Sequence, residues 1–128
     1  MSATMGGRIE NEFVPYEQAL VLKELGFDEP CLGYYTIYSD GEVKLFTSDK
    51  GFRNLEASTF SQAFRWFREK YGYYISFFRT HDGNWGTDLW LLGVHKPKAT
   101  VFGETYEETE LACLKKLIEI VKHETGNL

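Results

Sequence analysis

Apolar positions recur at helical spacing over three stretches of the chain and alternate over several shorter ones, which predicts three helices separated by strands. The last stretch is the best specified. Leu111, Leu114, Leu117, Ile118 and Val121 share one side of a helix, with Cys113 and Ile120 at its margin. Thr105 followed by Glu108 reads as a capping box, and the acidic first turns with later Lys115, Lys116 and Lys122 suit the helix dipole. A first helix is expected from Pro15 to Leu25, with Ala19, Val21, Leu22 and Leu25 on one broad face. Gly26 then supplies a left-handed stop and Phe27 the apolar contact beyond it. A middle helix starts at Thr59, capped with Gln62, and ends at Gly72. Its apolar stripe is Phe60, Ala63, Phe64, Phe67 and Tyr71, with Trp66 about 100° from the stripe's centre.

Between the helices, Tyr34–Tyr38 and Val43–Thr47 read as strands around an Asp40-Gly41 hairpin turn. Residues from Ser48 to Ser58 read as a polar loop. Tyr73–Thr80 and Leu89–Val94 read as a second strand pair joined by the turn-rich segment His81–Asp88, and Lys98–Gly103 as a short edge piece. The expected architecture is α+β, in the order α-ββ-α-ββ-α: one four-stranded antiparallel sheet of two hairpins, packed with three helices. It is expected to form a single domain over residues 13–128, after a flexible leader over residues 1–12.

Composition narrows the function classes. With 43% hydrophobic residues in 128, the chain can bury a core without staples. Aromatics at 16% predict a core of large rings with some left partly exposed. A net charge of −5 opposes general nucleic-acid binding, which wants an extended positive surface. Cys31 and Cys113 are expected to be reduced, buried thiols. With no apolar run near the ~20 residues of a membrane span and no signal segment, a cytoplasmic protein is expected.

Chemistry-bearing motifs are missing from the sequence. It has no phosphate-binding loop, dinucleotide fingerprint, zinc-protease helix or nucleophile elbow, so no catalytic residue, cofactor or metal is expected. His81, Asp82, Asn84 and Asp88 offer metal donors, but their spacing does not fit a calcium loop, and Asp82-Gly83 is ordinary turn chemistry. Cys113 lies on the apolar margin of its helix, where a thiol behaves as a small hydrophobe.

Charge is unevenly spread. Residues 50–70 carry five basic against two acidic side chains, and residues 10–29 carry six acidic against one basic. Arg65, Arg68 and Arg79 with Trp66, Trp85 and Trp90 are therefore the candidate binding residues, since arginine and aromatics dominate binding hot spots. The competing reading makes the tryptophans a core rim and pairs the arginines with acidic helices.

Three segments, Pro15–Cys31, Gln62–Tyr71 and Thr105–Lys122, resemble a family of short uncharacterised proteins encoded by bacteriophages and prophages of Bacteroidetes-type bacteria. The resemblance implies a small accessory protein inside an infected or lysogenic cell, and brings no activity with it. The function expected is a non-enzymatic protein-interaction module that engages a host factor or a second copy of itself. The alternative is a ligand-binding protein that takes a small anionic, nucleotide-like molecule between aromatic rings and arginines.

Overall fold

In the computed structural model, which describes residues 11–126, both Asp-Gly dipeptides form turns of the same build. Gly41, at φ 91°, donates its N–H to the Tyr38 carbonyl, and Tyr38 N–H reaches the Glu42 carbonyl. Gly83, at φ 93°, donates likewise to Thr80, and Thr80 N–H reaches Asn84. Glycine takes this left-handed backbone without a side-chain clash, so each chain reversal is tight. The first turn joins β1 (Gly33–Ile37) to β2 (Val43–Phe46), and the second joins β4 (Tyr73–Arg79) to β5 (Trp85–Leu91). Because the second turn is so short, pairing resumes at Trp85, and Leu92–Val94, expected as strand, lies beyond it.

The expected single four-stranded sheet is not what forms. The described residues make two three-stranded antiparallel sheets, ordered β2-β1-β3 and β4-β5-β6. Each hairpin takes its third strand from its own neighbourhood instead of from the other hairpin. The strand β3 (Leu55–Ala57), in the segment read as a loop, pairs along the free edge of β1, with Tyr34 opposite Glu56. The edge piece forms β6 (Ala99–Gly103) on β5, with Thr87 opposite Val101. The α+β class and the alternation of helices with strand groups hold, with helices α1 (Tyr16–Glu24), α2 (Phe60–Tyr71) and α3 (Tyr106–Thr125). Among the described residues no helix is long and apolar enough to cross a membrane. The leader expected over residues 1–12 lies outside the described residues except for Asn11 and Glu12.

The chain divides into two compact units, one up to Ala63 and one from Phe64, with the boundary inside α2. In the first, α1 lies against β3 and buries Ala19 and Leu22. It closes in a Schellman motif: Phe27 N–H bonds the Leu22 carbonyl and Gly26 N–H bonds Lys23, with Gly26 at φ 104°. The Tyr35 hydroxyl donates to the Val14 carbonyl at 2.7 Å and fixes the chain's approach to the helix. At the start of α2, Thr59 caps the Gln62 N–H, but the Gln62 side chain leaves for Glu29 and the Pro30 carbonyl, so only half of the capping box forms.

In the second unit α3 lies across β5 and β6 and buries Cys113, Leu114, Leu117, Ile118 and Val121. Thr105 accepts from Glu108 N–H, and Gly126 closes the other end in the left-handed conformation. Tyr106 at the first turn stacks on Phe77, and Glu124 in the last turn accepts the Tyr73 hydroxyl. The helix thus runs the length of β4, in the opposite direction. On α2 the buried face is Phe60, Ala63, Trp66 and Phe67, while Phe64 is half-buried. The face is rotated from the expected stripe because the broad Trp66 ring folds edge-on against Phe67 and Tyr71.

Candidate functional site

Strand β4 carries rings on both sides, since Tyr73, Ile75 and Phe77 alternate with Tyr74, Ser76 and Phe78. Only the first set lies under α3. The other face exposes Tyr74, Ser76, Thr100 and Phe102, and its register builds three rows. Tyr74 stands opposite Trp90; Ser76, Asp88 and Thr100 lie abreast; Phe78, Gly86 and Phe102 lie abreast. Tyr74 and Trp90 are stacked with centroids 6.3 Å apart, and Phe78 and Phe102 meet edge to face at 6.1 Å. In the polar row the Thr100 hydroxyl donates to Asp88 Oδ1 at 2.6 Å. Phe102 is 61% exposed, and Leu92, just past β5, is 63% exposed. Apolar side chains so exposed and grouped on one sheet face are what contact surfaces are made of.

The six residues singled out from sequence fall into three places. Arg79 and Trp85 are brought together as cross-strand partners, with the guanidinium 4.9 Å from the indole centroid. Trp85 also meets Tyr106 edge-on at 5.0 Å, on the α3 side of the sheet, and Arg79 donates to the Gly83 carbonyl. Trp90 is on the opposite, uncovered face. Trp66 is buried, with the Lys70 ammonium 5.0 Å from its ring, while Arg65 and Arg68 are exposed along α2. Tyr74, Phe78 and Phe102 were missed from sequence, and Asp88 was weighed there only as a metal donor. The available signal was the second apolar set on β4, which one covering helix cannot bury.

Concave surface lies elsewhere. A cavity of about 500 Å³ opens beside α1, with Phe27 and Leu55 in its wall and Lys23, Asp28, Arg53 and Glu56 around it. Its arginine is already engaged: Arg53 bonds Glu56 at 2.5 Å and the Cys31 carbonyl at 2.7 Å, and lies over the Tyr34 ring. A second concavity, of about 340 Å³, lies near Lys98, Ile120 and His123. Neither includes Arg65, Arg68 or Arg79.

Both thiols are free. Burial, then the Glu56 and Glu29 carboxylates, pushes the half-exposed Cys31 up to about 11. Burial and Glu110 push Cys113 up to about 12, so both are protonated at neutral pH and poor nucleophiles. In the hairpin turn the Thr80 hydroxyl donates to Asp82 and holds that carboxyl below its usual range. Among the described residues no three His, Cys, Asp or Glu side chains converge as a metal would require. No protein family, curated protein or solved structure matches this chain.

Proposed function

We propose that this chain is a non-enzymatic protein-interaction module whose contact surface is the uncovered face of the β4-β5-β6 sheet. One observation carries the reading: two aromatic pairs stand on one face of this sheet, with Phe102 61% and Tyr74 36% exposed and Phe78 and Trp90 half-buried. Leaving such rings in water forgoes burial worth roughly 1.5–3 kcal/mol for each large apolar side chain, a loss that docking would recover. The resemblance to phage and prophage proteins extends the reading to a host factor as the partner, met in the cytoplasm. The alternative, an anionic ligand gripped by arginines, has less support, because Arg79 is engaged with Trp85 and Gly83 and neither concavity holds Arg65 or Arg68.

The test is capture from a host-cell lysate with the wild-type chain and with a Tyr74→Ser, Phe102→Ser double variant. Proteins retained by the wild type and lost by an equally stable variant support the surface. An unchanged set of retained proteins would remove it.

A further inference from the structure

The geometry points to a basic, amphipathic helix of a partner protein as the occupant of this face, with its cationic side chain seated on Asp88 between the two aromatic pairs. This rests on the reading of the face as a contact surface and adds the partner's chemistry. The polar row lies at the centre of the face, and Asp88 is its only charged side chain. One carboxylate oxygen takes the Thr100 hydroxyl, while the other has no protein partner among the described residues. Among the described residues, the three rows hold no lysine or arginine. A neutral apolar partner would bury that carboxylate without compensation, which costs several kcal/mol, whereas a lysine or arginine would pair it. Once there, the cation would also lie near aromatic rings, whose faces attract positive charge.

Spacing selects the kind of segment. Rows two residues apart along a strand are about 7 Å apart, so the aromatic pairs stand about 13–14 Å from each other with Asp88 midway. On a helix, positions i, i+4 and i+8 rise by about 6 and 12 Å, which places apolar, basic and apolar side chains over the three rows. An isolated extended peptide could match the spacing too. Laid on a sheet face, however, it would leave its backbone groups unpaired, whereas a helix satisfies its own. Strands about 4.8 Å apart, two of seven residues and one of five, offer roughly 300 Å², well below the ~800 Å² per partner of a stable interface between folded domains. One helix fits that footprint, and a second copy of the chain does not.

The probe is a synthetic 20-residue helical peptide with leucine, arginine and leucine at i, i+4 and i+8, against otherwise identical peptides carrying glutamate or glutamine at i+4. Titration followed by calorimetry and by the Trp90 indole resonance should show salt-sensitive binding of the arginine peptide. The Asp88→Asn variant should weaken that binding about tenfold or more and leave the glutamine peptide unaffected. If all three peptides bind alike and only Phe102→Ala abolishes binding, the face is a contact surface but its partner is not basic, and this inference falls alone. It falls equally if no arginine peptide binds up to about 1 mM, a limit that corresponds to roughly −4 kcal/mol. Sedimentation showing a dimer that Phe102→Ala dissolves would assign the face to a second copy instead. The peptide substitutions leave the protein untouched, so a variant that fails to fold does not blunt the comparison.

Discussion

The ring of Phe78 lies across the backbone of its strand partner Gly86, where a β-carbon would come within 2.4 Å of it. Glycine in the middle of a strand normally weakens it, and here its missing side chain is the seat of a ring. Gly86→Ala should therefore destabilise the protein by about 1–3 kcal/mol through overpacking. Urea unfolding of Gly86→Ala, Phe78→Ala and the double variant should show that the two losses do not add, since the second change relieves the clash of the first.

On the opposite face Thr87 is fully buried under α3, and its hydroxyl has no hydrogen-bond partner among the described residues. A stranded buried hydroxyl costs about 1–3 kcal/mol. Thr87→Val keeps the branched shape and removes the cost, so it should raise stability by about that amount. A melting temperature that stays level or falls would mean the hydroxyl is satisfied by ordered water.

The two phenylalanines of α2 should separate cleanly in unfolding experiments. Phe67 is fully buried, so Phe67→Ala should cost about 3–5 kcal/mol. Phe64 is half-buried, and Phe64→Ala should cost roughly half as much. Equal losses would return Phe64 to the core face.

Ends of elements were the most legible part of the sequence. The Gly26 stop, the Thr105 cap and the Asp40-Gly41 turn each depend on a few adjacent residues, and each forms. What required contacts between distant residues was hidden. Leu55–Ala57 alternates over only three residues, too few to read as a strand, and it becomes one by lying along β1. Gly86 resembled turn chemistry until Phe78 was found above it. The candidate surface suffered most. Tyr73 to Phe78 places rings on both faces, and nothing local says which face α3 will cover. Arg79 and Trp85 were both singled out, but their pairing was hidden too, because Trp85 read as part of the turn and becomes a cross-strand partner only once β5 starts there.

Cysteine reactivity and alkaline stability follow from the surroundings of the two thiols, Cys113 buried and Cys31, expected buried, only half so. Cys31 lies at about 11 against an ordinary 9.0, so its thiolate fraction near pH 8 is about 100-fold lower than that of an exposed thiol. Iodoacetamide should modify it about 100-fold more slowly than the unfolded chain. Cys31, Cys113 and Tyr73 are all raised in the fold, Tyr73 by burial and then by its bond to Glu124. The unfolded chain therefore releases these protons first. Their contribution is intact below pH 9 and is lost progressively as pH rises toward 11 and beyond. Denaturant midpoints should be level with respect to these groups from pH 7 to pH 9 and then drop, less steeply in Cys31→Ser. A midpoint that rose above pH 9 would contradict the sign.

The row of Ser76, Asp88 and Thr100 has a consequence for the chain on its own. It cuts the ring-bearing surface into two islands, each smaller than the continuous patches that make molecules stick without discrimination. Both flanking strands, β4 and β6, are sheet edges, the places where chains most readily add to one another. A single carboxylate in the middle therefore acts as a colloidal guard, repelling an identical face that approaches it. On the proposed reading of this face, solubility and partner choice then weigh on the same side chain. A drift of Asp88 to leucine would merge the islands and turn a selective surface into an adhesive one.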